Sequence, residues 1–142
     1  MASCIFCNIL SGKIDASTVY EDDLCVAFMD IQPITTGHVL VIPGEHAAGL
    51  ADLLAETGEH MFHVAQHIAA ALRKSPIRCE GVNLFLADGA AAGQEVFHVH
   101  LHVIPRYAGD GFRLIRPPDS SGVRPRIELD IAAEQIQLAM ET

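Results

Sequence analysis

With 142 residues and a mass of 15.3 kDa, the chain has the size of one ordinary domain. Half of its residues are hydrophobic and 19% are charged, a composition that excludes an intrinsically disordered chain. Nine Lys and Arg residues against eighteen Asp and Glu residues give a formal net charge of −9, which argues against binding nucleic acid or an anionic membrane through bulk charge.

We expect a cytoplasmic protein without membrane contact. The amino terminus lacks a basic segment followed by an apolar run, so no secretory signal is expected. The longest uncharged stretches, such as residues 31–44, are too short to span a bilayer and are interrupted by proline and glycine.

Four cysteines do not make a disulfide scaffold in a chain of this size. Cys4 and Cys7 form a C-x-x-C pair, which in a reducing compartment favours metal binding or redox chemistry over a structural bridge. Cys25 and Cys79 stand alone among apolar residues and are interpreted as small buried hydrophobes.

The first half of the chain is predicted to form a short helix, three strands and a long helix. Two β-branched and aromatic runs separated by Asp22-Asp23 indicate a hairpin, and a third strand closes at Pro43-Gly44. An Ala- and Leu-rich segment with apolar residues near helical spacing follows, with Gly58 as a possible break. The predicted bounds are 4–10 for the short helix, 18–21, 24–29 and 37–42 for the strands, and 47–74 for the long helix.

The second half is predicted to add two strands and a final helix. The strands cover 82–87 and 96–106, and a loop of small residues over 88–93 joins them. Residues 107–126, rich in Gly, Pro and Arg, are predicted to be irregular. The final helix covers 129–140, or 128–141 at its widest, and is predicted to turn Ile131, Ile136 and Leu138 inward. This order indicates a single α+β domain over residues 1–142, with a five-stranded antiparallel sheet.

Three of the eight histidines alternate with apolar residues in the last predicted strand. They are His98, His100 and His102. Because alternate side chains of a strand point to one face, the three imidazoles would lie in a row, with the apolar residues on the core side. Such a row indicates metal binding, or nucleophilic and acid–base chemistry near neutral pH.

The loop that leads into this strand is almost free of side-chain bulk. Its sequence is Ala90-Ala91-Ala92-Gly93-Gln94. Loops of this kind let backbone N–H groups approach an anion closely, so the segment is a candidate phosphate-binding loop.

Residues 93–106, GQEVFHVHLHVIPR, resemble the signature of the histidine triad (HIT) family, H-φ-H-φ-H-φ-φ, in which φ is apolar. The resemblance covers most of the chain, from CIFC at residues 4–7 through residues 20–23 and 28–31 to GHVLVIP at residues 37–43. It is strongest to the bacterial Hint-type branch whose members carry a zinc-binding C-x-x-C.

The resemblance implies a HIT-like fold and a nucleotide hydrolase or transferase. Members of the Hint-type branch cleave the α-phosphate bond of nucleoside monophosphate derivatives, of the purine nucleoside phosphoramidate type, through a covalent nucleotidyl-histidine, and they pair as homodimers. Two alternatives stay open: a dinucleoside polyphosphate hydrolase, and a nucleotide-binding or scaffold module with little turnover.

The position of each histidine in the family motif implies its role. His100 would be the nucleophile and His102 would contact the phosphate oxygens. His38, one strand away, would support the ring of the nucleophile, although it could also be an ordinary strand residue.

The resemblance also implies a purine nucleotide site. Asp30 would accept hydrogen bonds from the ribose hydroxyls. Three apolar residues would flank the base, unless they are plain core, and three loop residues would lie beside the phosphate: Phe6, Met29 and Ile31, and Gly93, Gln94 and Glu95.

A structural zinc ion is implied as well. The matching ligands are Cys4, Cys7, His46 and His98, two thiolates and two imidazoles that leave no open position on a tetrahedral Zn²⁺. The alternative is that both cysteines are free or redox-active.

Three more histidines, His60, His63 and His67, lie at i, i+3 and i+7 of the long helix. This spacing puts them on one face, where they could face a metal, and a solvated helix face is the interpretation we prefer.

Two positions depart from the Hint-type pattern. Ala87 stands where that branch usually has Asn, and Glu95 stands where it often has Ser. Glu95 either donates a proton to the leaving group or points into solvent. These departures leave the substrate preference open.

Overall fold

The computed structural model describes residues 4–120 and 122–142, and the chain divides into two compact units, Met1–Gly111 and Phe112–Thr142. Residues 1–3, on which the expectation about the amino terminus partly rests, lie outside the described part. So does Ser121, within the segment predicted to be irregular. No helix of the described residues is both long and apolar enough to cross a bilayer.

The first unit contains an open five-stranded sheet in which every neighbouring pair is antiparallel. The strand order along the sheet is β1-β2-β3-β5-β4. The predicted α+β architecture is therefore confirmed. The strands are β1 (Thr18–Glu21), β2 (Cys25–Met29), β3 (Val39–Pro43), β4 (Gly81–Phe85) and β5 (Leu101–Arg106), and the two helices of this unit are α1 (Ile5–Leu10) and α2 (Ala55–Lys74).

Two hydrophobic clusters sandwich the sheet, because alternate residues of β2 and β3 point to opposite faces. One face packs on α2, where full burial of a side chain such as Met61 or Ile68 stabilises the fold by about 1.5–3 kcal/mol. The other face packs on Phe6 of α1. Cys25 is buried as predicted, whereas Cys79 is only partly buried against the α2 cluster.

Helix α2 begins later than predicted and is not interrupted. The residues before it form a 3-10 turn, Leu50–Asp52, instead of the first helical turns. Gly58 donates its N–H to the carbonyl of Leu54 at 3.0 Å, so the helical hydrogen bonds begin across it. Ser75 ends the helix as predicted, with its N–H bonded to Ala71 and its hydroxyl to the carbonyl of Leu72.

Strand β5 is shorter than the predicted 96–106, and this changes the setting of the histidine row. The N–H of Val99 donates to the carbonyl of Ala47 at 2.8 Å, outside the sheet. His98 and His100 therefore precede the strand, and only His102 lies on it. The alternation nevertheless continues through this segment, since Val99 is buried in the α2 cluster.

The second unit contains α3 (Arg126–Met140), which confirms the predicted final helix, and a 3-10 turn, Pro118–Ser120. The prediction of an inward face is wrong: Ile131, Ile136 and Leu138 are each more than half exposed. An amphipathic pattern marks an apolar face without showing that anything covers it. The single domain over 1–142 stays a prediction.

Candidate active site

A cleft of about 410 Å³ opens on the α1 side of the sheet. Leu40 and Phe28 of the strands line this cleft, together with residues of α1, of the loop after β2 and of the segment before β5. Eight of the residues predicted to bind nucleotide or to catalyse line this cleft: Phe6, Met29, Asp30, Ile31, His38, Glu95, His100 and His102.

His100 is held in one tautomer by the main chain. Its Nδ1 lies 2.8 Å from the carbonyl oxygen of His98, and since a carbonyl only accepts, Nδ1 carries the proton. In the neutral ring Nε2 is then unprotonated and keeps a lone pair. Phe6 packs edge-on against the ring, with centroids 5.2 Å apart, and the side chain is buried.

His102 is held in the opposite tautomer by a chain of hydrogen bonds. The N–H of Ile34 donates to Nδ1 of His38 at 3.1 Å, so the proton of a neutral His38 lies on Nε2. That nitrogen donates to Nδ1 of His102 at 2.8 Å. The Nε2 of a neutral His102 therefore carries an N–H that is free to donate into the cleft.

Both rings of this pair stay neutral at pH 7. Burial, reinforced by the neighbouring rings of His100 and His38, lowers the pKa of His102 to about 4. Burial also lowers the pKa of His38, against an opposing attraction from Asp30, whose Oδ2 lies 3.6 Å from Nε2. The resemblance implied that His38 supports the ring of His100, and the direct hydrogen-bond partner of His38 in the structure is His102.

The loop between β2 and β3 positions His38 and Asp30. The N–H of Asp30 donates to the carbonyl of His38 at 3.0 Å, and Oδ1 of Asp30 accepts from the N–H of Gln32 at 2.8 Å. Gly37 precedes His38 with a φ of 99°, and a Cβ there would lie 2.9 Å from Ile77. Only glycine fits this position without displacing its neighbours.

The predicted base-flanking residues have different environments. Phe6 is buried and packs edge-to-face on Phe28 with centroids 5.5 Å apart, so it belongs to the core and to the cleft wall together. Met29 is half-buried, whereas Ile31 is 90% exposed at the cleft rim. An apolar side chain that is left so exposed can cover a planar ligand at little cost.

The small-residue loop is only partly brought to the cleft. It forms a 3-10 turn, Ala90–Ala92, flanked by Gly89 and Gly93 with positive φ. The side chain of Gln94 turns back into the protein, where its amide donates to Ala48 and its oxygen accepts from Gly89 at 2.8 Å. Gln94 therefore braces the loop, and Glu95 is the predicted loop residue that lines the cleft.

A second cluster brings together the four predicted zinc ligands, and their ligand atoms all lie within 4.8 Å of one another. Nδ1 of His98 lies 3.4 Å from Sγ of Cys4 and 3.2 Å from Nδ1 of His46, and Sγ of Cys7 lies 3.4 Å from His46. Tetrahedral zinc with ordinary bond lengths places its ligands about 3.3–3.7 Å apart. The four residues therefore fit this ion.

The proton on His98 is placed as a zinc ligand needs. Its Nε2 donates to the carbonyl of Pro43 at 3.0 Å, which leaves Nδ1 unprotonated and directed at the two thiols. Cys4 also caps α1, since its Sγ accepts from the N–H of Cys7 at 3.4 Å. An ion there would tie α1, and with it Phe6 of the cleft, to the segment that carries the histidines.

Some cleft residues were not anticipated as functional. They are apolar side chains to which the sequence analysis gave no role in the site, among them Ile5, Ile9, Ile14, Leu40 and Val96. The N–H of Ile34, which sets the tautomer of His38, carries no sequence signal at all. Ala87, where an Asn was expected, is buried and lies outside the cleft lining.

The comparisons with known proteins decide the family. The HIT domain matches residues 11–109, more than half of the chain. The chain belongs to the HIT family. Proteins of this family are nucleotide-binding hydrolases or transferases.

Relatives resemble this HIT protein over most of their own length. An uncharacterized HIT-like protein from Borreliella burgdorferi is 47% identical over 113 residues, which are 79% of this chain and 81% of that protein. A zinc-bound histidine triad family protein from Mycobacterium smegmatis superimposes with a TM-score of 0.76 at 42% identity, covering 96% of this chain and 97% of that one. A histidine triad nucleotide-binding protein from Candida albicans gives a TM-score of 0.86 at 30% identity, with 98% of each chain covered.

Proposed function

We propose that this HIT protein cleaves the α-phosphate bond of purine nucleoside phosphoramidate-type substrates through a covalent nucleotidyl intermediate on His100. The observation that carries the proposal is the pair of opposite tautomers. His100 offers a lone pair on Nε2, and its neighbour His102, with a ring centroid 4.9 Å away, offers an N–H. A nucleophile beside a hydrogen-bond donor is the arrangement that phosphoryl transfer uses.

In the first step Nε2 of His100 attacks the α-phosphorus, a bond from phosphorus to Nε2 forms, and the bond from phosphorus to the leaving nitrogen breaks. The leaving amine takes a proton from solvent or from Glu95, which lines the same cleft. The N–H at Nδ1 keeps its hydrogen bond to the carbonyl oxygen of His98, and this hydrogen bond stabilises the positive charge that develops on the ring.

In the second step water attacks the phosphorus and the bond to Nε2 breaks, so that its electron pair returns to the imidazole. The water loses a proton to solvent and the nucleoside monophosphate leaves. His102 donates Nε2–H to a phosphate oxygen in both steps, and His38 positions that donor.

The remaining cleft residues would hold the nucleotide. We propose that Asp30, which keeps a partly exposed carboxylate, accepts from the ribose hydroxyls, and that Phe6, Met29 and Ile31 flank the purine. The backbone of Gly93 and Gln94 and the side chain of Glu95 would lie on the phosphate side.

Zinc would be bound by Cys4, Cys7, His46 and His98, and its role would be structural because four protein ligands leave no position for substrate. The zinc-bound relative from Mycobacterium smegmatis supports this assignment.

We further propose a homodimer in the cytoplasm, with residues 1–142 as one HIT domain. The free edge of β4, where Leu84 and Phe85 are partly exposed, supports pairing with a second chain.

Substitution of the nucleophile tests the proposed reaction. In steady-state assays on an adenosine 5′-phosphoramidate, His100→Ala should lower kcat by several orders of magnitude, because the two-step route needs the ring, while nucleotide affinity changes little. His60→Gln, a histidine outside the cleft, serves as the control and should keep wild-type turnover. Turnover of His100→Ala close to wild type, or a wild type that prefers dinucleoside polyphosphates, would contradict the proposal.

Removal of a thiolate tests the metal site. Cys7→Ser should lose the one zinc ion per chain and unfold at a lower temperature, since the ion binds only the folded cluster. Cys79→Ser is the matched control, because its thiol donates to the carbonyl of Gly81 and a hydroxyl can do the same. Elemental analysis with thermal unfolding checks both variants. Wild-type protein that folds with full stability and no metal would contradict this site.

A further inference from the structure

A second group of imidazoles lies on the other side of the sheet from the cleft. His60, His63 and His67 line one wall of a groove of about 450 Å³ between α2 and β1. Val19 and Tyr20 of β1 form the facing wall. Among the described residues, the groove and the cleft have no lining residue in common.

His63 and His67 form a close pair, one helical turn apart. Their Nε2 atoms lie 3.2 Å from each other and their ring centroids lie 4.6 Å apart. Two neutral imidazoles can lie this close only if the Nε2 of one ring carries a proton and donates a hydrogen bond to the unprotonated Nε2 of the other. Both side chains are exposed, and within the described part of the chain their rings bond each other and no main-chain group, whereas the carbonyl of His98 bonds His100 in the cleft.

The spacing of the pair matches that of two ligands on one metal ion. With metal–nitrogen bonds of about 2.0–2.1 Å, two imidazole nitrogens on one tetrahedral ion lie about 3.3 Å apart, and two adjacent ones on an octahedral ion about 2.9 Å. The observed 3.2 Å lies between these values. The backbone that carries both rings is a regular 20-residue helix, so little order needs to be gained on binding.

His60 lies on the same helix face, but its imidazole bonds to Asp22 instead of to His63 or His67. Its Nε2 lies 2.5 Å from Oδ2 of Asp22, and the same carboxylate accepts from Tyr20 and from the backbone of Leu24 and Cys25. Burial opposes ionisation of Asp22, but these hydrogen bonds hold its pKa well below the ordinary value. The contact with Asp22 keeps His60 out of the ligand pair and makes it a matched control.

We propose that His63 and His67 form a binding site for a divalent transition-metal ion of the imidazole-preferring class, such as Ni²⁺, Cu²⁺ or Zn²⁺. Two protein ligands leave coordination positions that face the groove and take water or a small ligand. When the ion binds, the ring that carried its proton on Nε2 carries it on Nδ1 instead, so that both Nε2 lone pairs are free to bind the metal. The net charge of −9 on the chain favours a bound cation.

Titration of Ni²⁺ into the full-length protein preloaded with one equivalent of zinc per chain tests the site, because the four-ligand cysteine cluster takes that zinc in preference to a pair of imidazoles. Isothermal titration calorimetry should show one further ion per chain. His63→Gln and His67→Gln should each weaken its binding at least about tenfold, since loss of either ring removes the chelate. His60→Gln should bind Ni²⁺ like wild type.

Thermal unfolding supplies a second readout on the same proteins. Ni²⁺ should raise the unfolding temperature of wild type and of His60→Gln, because it binds only where the helix holds both rings together. It should not raise that of His63→Gln or His67→Gln, whose own folding the same scans check without metal. An absent further ion, an equal loss in His60→Gln, or unchanged binding in His63→Gln and His67→Gln would overturn the proposal.

Discussion

Two groups of three histidines in the first unit show how differently the same side chain behaves in two environments. His38, His100 and His102 lie in the cleft, largely buried, and each has a nitrogen whose partner decides where the proton lies. His60, His63 and His67 lie on one face of α2, where two of the three are exposed.

The difference comes from the backbone around each group. In the cleft, the carbonyl of His98 and the N–H of Ile34 lie in extended or loop segments and are free to bond an imidazole. On a helix the backbone groups are already used in i to i−4 bonds, so among the described residues these rings form hydrogen bonds with each other and with the carboxylate of Asp22. A fixed tautomer therefore depends on irregular backbone, and the chemistry we assign to His100 and His102 depends on that tautomer.

Of the substitutions that separate the two histidine groups, loss of the His102 imidazole should lower turnover most. We expect His102→Ala to lower kcat about 10²–10³-fold, the usual cost of removing one donor to a developing charge. Steady-state assays beside His60→Gln check this. A His102→Ala enzyme that retains more than about a third of wild-type kcat would show that His102 is not the hydrogen-bond donor to the phosphate.

Acid should lower the free energy of unfolding because the pKa of His102, in the cleft, is lower in the folded chain than in the unfolded chain. Folded His102 titrates near pH 4, and the ordinary value is 6.5, so between these limits the unfolded chain holds a proton that the folded chain does not. The free energy of unfolding should therefore fall as the pH drops from about 6.5 to about 4, and this group should contribute no slope above that window. Urea unfolding across the window should show a shallower dependence for His102→Gln. An identical slope in both proteins would contradict the assignment.

The helix group should give the smallest effect. His60 and Asp22 form a partly exposed pair, with side chains 28% and 24% exposed, and such pairs contribute about 0–1 kcal/mol. His60→Gln should therefore change the free energy of unfolding at pH 7 by less than about 1 kcal/mol, as measured by urea unfolding. A loss of several kcal/mol would mean that the pair is a structural anchor, and the contrast between the two groups would fail.

The regular parts of the fold follow from local pattern. The strands end within two residues of their predicted bounds, because alternation and turn residues are local signals. Two departures have a non-local cause. Strand β5 starts at Leu101 because Val99 bonds to Ala47, and α2 starts at Ala55 because the preceding residues form a 3-10 turn.

The candidate site was predictable as a set of residues but not as a set of contacts. The motif places the histidines, the C-x-x-C pair and Asp30, and the structure brings these into one cleft and one four-residue cluster. The partnership of His38 with His102 and the inward turn of Gln94 depend on loop geometry. They need the N–H groups of Ile34 and Gly89, which every residue except proline carries, so no sequence pattern marks them.

The central claim is that Nε2 of His100 becomes covalently linked to the nucleotide, and chemical trapping tests it most directly. Wild-type protein mixed with an adenosine 5′-phosphoramidate is quenched in alkali within a single turnover, digested and analysed by mass spectrometry. We predict a nucleoside monophosphate adduct on the peptide that carries the histidines, fragmenting to His100, and no adduct in His100→Ala. An actively turning-over wild type without an adduct, or with the adduct on His102 or His38, would contradict the account.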